Sequence, residues 1–421
     1  MSEPDLIPHL FRTEYRKITA VLSKRFGLEH IEIAQDIASD TFLQASETWG
    51  IKGLPENPTA WLYAVAKNKA KDYLKRNTLF NEKIAQQITY ELNGVENSGS
   101  EIDIDLSDRN ITDSQLQMMF AICHPSIPAE AQIGLSLNIL CSFGVNEIAA
   151  AFLTNKETIN KRLFRAREKL RSNQVKIEFP EASEIQNRLE NVLTTLYLLF
   201  NEGYYDSGCD VTLRKDVCLE AVRLTNLLLE SKLTSQPPVY ALLALMCFHA
   251  SRFEARTDSE GETVLYEDQD ERLWDENLIR QGEHFLNQSS SGNTLSKYHL
   301  EAGIAYFHTI KNDTKEKWES ILQLYNQLLI IEYSPMAALN RTYSLSKANG
   351  KEIAIKEAEK LNLTSHHLYH ALLGELYTGI DNEKAVNHFK TSLDLTNSKA
   401  DRKVIVKKLS ALGYDGRPKY S

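Results

Sequence analysis

Thr154-Asn-Lys-Glu-Thr-Ile-Asn-Lys-Arg-Leu-Phe-Arg-Ala-Arg-Glu-Lys-Leu-Arg-Ser172 is the stretch on which the reading of this chain turns. Ile159, Leu163, Ala166 and Leu170 recur at three- and four-residue spacing, as expected of a helix that buries one stripe. Thr154 followed by Glu157 has the capping-box pattern and predicts a helix from Lys156 to Ser172. Between 155 and 176, Lys156, Lys161, Arg162, Arg165, Arg167, Lys169, Arg171 and Lys176 are opposed only by Glu157 and Glu168. An apolar stripe backed by so much positive charge predicts a helix packed on one side and facing phosphate on the other.

The residues just before complete a motif. Ala131 to Cys141 reads as an apolar helix, Phe143-Gly144 as a turn, and Asn146 as the N-cap of a short helix whose Ile148 and Phe152 share a face. Two helices joined so tightly cross steeply, which is what lets the second of a helix-turn-helix enter a major groove. Lys156, Glu157, Thr158, Asn160 and Lys161 are the expected base-edge contacts, with Arg162 and Arg165 on phosphate.

Three apolar-periodic stretches, roughly 5–26, 30–48 and 58–76, fill the N-terminal part. In the third, Trp61, Leu62, Val65 and Leu74 are core candidates and Lys67, Asn68, Lys71, Lys75 and Arg76 are available to a nucleic-acid backbone, with Asn57 and Trp61 as further candidate DNA contacts. Cations beside aromatics suit an unstacked single strand, and the loop from Gly50 to Asn57 offers a place for an extruded base. Residues 80–113 carry Lys83 and Arg109 against eight carboxylates, so 80–112 is expected to be a flexible acidic linker.

The 421 residues and net charge of −9 imply several domains and local, rather than global, attraction for nucleic acid. An acidic N-terminus and the lack of an apolar run of about 18 residues predict a cytoplasmic protein without a membrane span. Cys123, Cys141, Cys209, Cys218 and Cys247 form no CxxC pair and read as buried apolar residues. His366, His367, His370, His249 and His299 could suggest a metal site, but no HExxH or Cys cluster accompanies them. No cofactor, metal or catalytic residue is expected.

Beyond Phe179-Pro180 the chain reads as amphipathic helices without a strand. Leu339, Tyr343, Ile355 and Leu361 recur 34 residues later as Leu373, Tyr377, Phe389 and Leu395, with Ala305 and Ile321 one period upstream. That is the period of tetratricopeptide helix pairs. The polar residues Arg252, Glu254, Arg256, Asp268, Asp270 and Asp275 are expected to brace this region as a buried ion network, with a binding surface as the alternative.

Gln35-Asp-Ile-Ala-Ser-Asp-Thr-Phe-Leu-Gln-Ala45, Ala60-Trp61-Leu62, Lys67-Asn68, Asp72 and Leu74-Lys75-Arg76 together resemble domain 2 of the extracytoplasmic-function sigma factors. Glu147-Ile148-Ala149, Thr158, Arg162, Arg165-Ala166-Arg167 and Leu170 resemble their domain 4. Phe200 to Tyr204, Ala241 to Met246, Ser251 to Arg256, Glu267 to Asp270, Trp274-Asp275, Ser334-Pro335 and Leu339-Asn340-Arg341 are similar to the subgroup with a C-terminal tetratricopeptide-like half. Lysine stands at 67 and 75 where arginine is usual, keeping charge but losing bidentate geometry.

The resemblance implies an all-α chain. Domain 2 would occupy 1–79, the linker 80–112, the helix-turn-helix domain 4 113–175, and a tetratricopeptide-like regulatory domain 180–421. It implies binding to the clamp of the largest subunit and the flap of core RNA polymerase, with Asp36, Asp40 and Phe42 docking on the clamp. Promoter DNA would be read by domain 4 at its upstream element and by domain 2 at its downstream one. The C-terminal half would regulate these activities or receive a protein or peptide. A helix-turn-helix repressor or activator working without core polymerase, with a helical sensor, is the alternative; it leaves 35–76 without a purpose.

Overall fold

Apolar spacing of three and four residues runs through nearly the whole chain, and the chain folds accordingly into helices. The computed structural model describes residues 3–88, 104–152, 154–205, 211–256, 264–292, 295–396 and 398–414, and among them no strand occurs. Backbone contacts divide the protein into one unit of residues 1–203 with 208–234 and a second of 204–207 with 235–421.

The first unit opens with α1 (Glu3–Phe26), stopped at Gly27, whose φ of 90° suits a residue without a side chain. A single 3-10 turn leads into α2 (Ile31–Lys52), and α3 (Pro58–Ile88) follows. Asn57 caps α3 by accepting from the Ala60 N–H at 2.9 Å, and Pro58 at the first position gives up a donor that would be unpaired. Ile18, Leu22, Ala34, Ala38, Phe42 and Leu62 form the core of this three-helix part. Trp49 meets Trp61 edge-on at 5.3 Å, and Phe11 meets Phe42 at 5.2 Å.

The linker expected over 80–112 is not all linker. Helix α3 continues to Ile88, and α4 (Asp108–Ile122) begins inside the span, capped by Ser107. Ile104 and Ile111 are buried in the same core as α1 to α3, so their apolar side chains decide against an open tether there. Residues 89–103 lie outside the described residues.

Helix α5 (Ala129–Leu135) widens into a five-residue π-helical turn, Ser136–Leu140, before α6 (Val145–Ala151) and α7 (Lys156–Ser172). Then come α8 (Ile185–Tyr205) and α9 (Val211–Leu227). These two correct the boundary expected at 180, because most of both belongs to the first unit. Arg188 donates to the Phe120 carbonyl at 2.6 Å, Thr195 to the Gln132 side chain at 2.6 Å, and Arg223 to the Leu140 carbonyl at 2.8 Å. Arg16 of α1 pairs with Glu220 of α9 at 2.6 Å. Leu189, Val192, Leu193 and Leu196 are buried, so α8 closes this unit's core.

The second unit contains α10 (Pro237–Ala250), buried almost all round, and α11 (Glu276–Ser289), separated by short 3-10 turns. Gly282 of α11 lies so close to Phe248 of α10 that an added Cβ would stand 2.5 Å from its ring. The chain continues through α12 (Lys297–Phe307), α13 (Lys315–Ile331), α14 (Pro335–Asn349), α15 (Lys351–Leu361), α16 (His367–Tyr377), α17 (Asn382–Leu395) and α18 (Lys399–Ala411). From α13 onward each helix packs mainly on its neighbours in sequence, whereas α12 packs more closely on α10 than on α11. Leu339, Ile355, Leu373 and Phe389, the strongest of the 34-residue pairs, all lie in one continuous core with Ile321. Leu395 is 40 % exposed, so the repeat loses its core role at the last paired position.

Candidate nucleic-acid interface

Helix α7 buries Ile159, Leu163, Ala166 and Leu170, the stripe its spacing predicts. Its start differs by one residue from expectation: Asn155, not Thr154, is the cap, accepting from the Thr158 N–H at 2.8 Å. Likewise α6 begins after Gly144, with the Glu147 carboxylate accepting from the Gly144 N–H at 2.7 Å, so Asn146 lies inside the helix. Asn and Thr are both good caps, so local chemistry at the start of α7 leaves a one-residue choice.

Lys156, Glu157, Thr158, Asn160, Lys161 and Arg165 are exposed on α7. Lys161 and Glu157 form an i,i+4 pair at 2.6 Å. Arg162, expected on phosphate, instead pairs with Glu130 at 3.3 Å and lies over the Phe152 ring at 5.3 Å. Its side chain is only 26 % exposed, because it sits on the shoulder of the buried stripe rather than opposite it. Phe164 was missed: it is 62 % exposed beside Arg165, and its signal is an aromatic residue off the apolar stripe.

Arg167 is the other residue that helical spacing did not single out. It turns inward, donating to Glu32 at 3.2 Å and Gln35 at 3.3 Å on α2, and to Asn138 at 2.8 Å. Burial lowers the pKa of its guanidinium, opposed by the Glu32 carboxylate. Arg171 donates to the Glu29 carbonyl at 3.2 Å. Helix α7 is therefore clamped to the start of α2 by hydrogen-bonded cations.

Asp36 and Asp40 stand exposed one turn apart on α2, and Asp40 reaches Lys69 of α3 at 4.0 Å. Phe42, grouped with them for polymerase docking, is 5 % exposed and packed against Phe11 and Tyr15, so it supports the helix from inside. On α3, Asn68, Lys75 and Arg76 are exposed, and Lys67 and Lys71 half-buried. Trp61 is half-buried against Trp49, and the side-chain oxygen of Asn57 is engaged as a cap. The loop before α3 is shorter than expected, since α2 runs on to Lys52.

Residues 10–79 match the sigma-70 region 2 family, and residues 188–290 match a family of unknown function (DUF6596). Over 350 residues the chain is 31 % identical to "Uncharacterized protein R00370" of Rhizobium meliloti (strain 1021), covering 82 % of each. The chain belongs to the same family as that protein. No solved structure matches it. The region 2 match coincides with α1 to α3 through the basic part of α3 and gives the chain a sigma-factor-like role in transcription initiation.

Among the described residues no group of three His, Cys, Asp or Glu side chains is arranged to hold a metal ion. His367 bonds Asp401 at 3.2 Å, while His370 meets His388 at 3.1 Å and the Thr364 carbonyl at 2.9 Å. Cys123, Cys141, Cys218 and Cys247 are buried, and Cys209 lies outside the described residues. No described helix is long and apolar enough to cross a membrane.

Proposed function

We propose that the protein is an extracytoplasmic-function-type sigma factor: it binds core RNA polymerase and directs initiation at particular promoters. The observation that carries this reading is the family match over 10–79, which falls on a folded part whose α2 presents Asp36 and Asp40 to solvent. Two carboxylates one turn apart make a docking site for a basic surface, here the clamp of the largest polymerase subunit.

Helix α7 then reads the upstream promoter element in duplex form. Lys161 and Arg165 meet base edges or phosphate, and Phe164 supplies apolar contact of the kind that a thymine methyl accepts. The α3 cations Lys67, Lys71, Lys75 and Arg76 hold the backbone of the separated strand at the downstream element, and Trp61 and Asn57 border the place where a base is held. The α7 to α2 clamp through Arg167 is the arrangement of the free protein. Reading two elements separated along a rigid duplex requires α7 to leave α2, so core polymerase stabilises the opened form. The helix pairs from α13 onward act as a tetratricopeptide-like module that regulates this step or receives a peptide.

Reversing Asp36 and Asp40 to lysine tests the assignment, since both are exposed and the fold should tolerate the change. Loss of co-purification with core polymerase is expected. Undiminished binding would refute it.

A further inference from the structure

Three cations surround one ring in the second unit. The Arg252 guanidinium lies 5.5 Å, the Lys311 ammonium 5.4 Å and the Lys317 ammonium 5.4 Å from the centre of Tyr266. Trp274 is stacked on the same ring at 6.3 Å and His308 stands edge-on to it at 5.1 Å. Among the described residues none of the three cations is in an ion pair. Lys311 and Lys317 donate to backbone carbonyls and to the Tyr266 hydroxyl, and the nearby carboxylates Asp313 and Glu267 are taken up by Lys347.

Arg252 is 7 % exposed and Lys317 6 %. The Nε of Arg252, the indole nitrogen of Trp274 and Nδ1 of His308 are buried without a hydrogen-bond partner. Buried charge is costly unless it is paired, and orphaned buried donors are rare. The polar residues around 252–275 were expected to cancel their own charge, but they do not do so at Arg252: Asp270 pairs with the exposed Arg272, and Asp275 caps α11. Lys317 also lines a cavity of about 300 Å³ whose other walls include Phe307, Asn312, Thr314, Glu316 and Ser320.

We propose that this cluster is a binding site for a small oxyanion, a phosphate or carboxylate group, with Arg252 as its principal partner and the Trp274 N–H as a second donor. The aromatic rings fix the cations, as a planar guanidinium or an ammonium over a ring face is held without being neutralised. The site does not depend on the sigma-factor reading.

Titration calorimetry of the full chain with inorganic phosphate and, separately, with succinate, each against chloride at matched ionic strength, tests the proposal and separates the two ligand classes. Saturable binding of one of them below about 1 mM is expected, with Arg252→Gln weakening it at least tenfold, the scale of one lost charge-assisted hydrogen bond. Trp274→Phe keeps the ring and removes the donor; it should weaken binding several-fold, and it decides the matter if Arg252→Gln does not fold. No saturable binding of either anion by the wild type, or undiminished affinity in the folded variants, would overturn the site.

Discussion

Arg165 and Arg167 sit two positions apart on α7 and face different partners. Arg165 is exposed, so Arg165→Ala should leave stability within about 0.5 kcal/mol while weakening promoter binding by the polymerase complex. Arg167 makes three side-chain hydrogen bonds and is 17 % exposed, so Arg167→Ala should cost about 1.5–3 kcal/mol in urea unfolding of the free protein. Equal stability losses would remove the distinction between a DNA-facing and an internal cation. Histidine 308 makes a pH prediction of its own. Burial, with Arg252 and Lys317 adding to it, holds the His308 pKa down at about 3, against an unfolded value near 6.5. The stability this neutral histidine contributes is complete above about pH 6.5 and declines as pH falls towards 3, by up to about 1.4 kcal/mol per pH unit, because only the unfolded chain takes up the proton. Burial shifts His249 in the same direction. The melting temperature should drop between pH 7.5 and 5.5, and His308→Gln should flatten that profile.

At the scale of elements, the close packing of helix pairs sets a sharp limit on side-chain size. An added Cβ at Gly374 of α16 would stand 2.7 Å from the Phe389 ring of α17, so Gly374→Ala should cost about 1–3 kcal/mol in thermal or urea unfolding despite its gain in helix propensity. The ends of the first unit allow a second prediction. A chain ending at residue 175 leaves the surfaces that Leu189, Val192 and Leu196 cover open to water and should aggregate, whereas one ending at 234 should stay monomeric in size-exclusion chromatography. That contrast also explains what was legible. The buried stripe of α7 and the 34-residue repeat follow from spacing, which is a property of neighbouring residues. The attachment of α8 and α9 follows from Arg188, Thr195, Arg223 and Glu220 meeting residues far away in the chain, and no local signal reports that. Phe179-Pro180 is a genuine break in helix, but a break in helix is not a break in core. The inward turn of Arg167 was hidden for the same reason, since its partners Glu32 and Gln35 lie on another helix.

For the whole molecule, a net charge of −9 and two local basic surfaces give different answers to the question of DNA binding. The acidic chain repels duplex at long range, while α3 and α7 attract phosphate only at close approach. Free protein should therefore bind promoter duplex weakly and with little sequence preference, and core polymerase should convert that into specific binding. The region 2 match, the exposed Asp36 and Asp40 and the cationic face of α7 converge on initiation by a polymerase-bound factor. Transcription in vitro from a library of supercoiled templates, with purified core RNA polymerase and this protein, tests that most directly. Discrete transcripts that need the protein and share an upstream and a downstream element are the predicted result; no initiation on any template would contradict it.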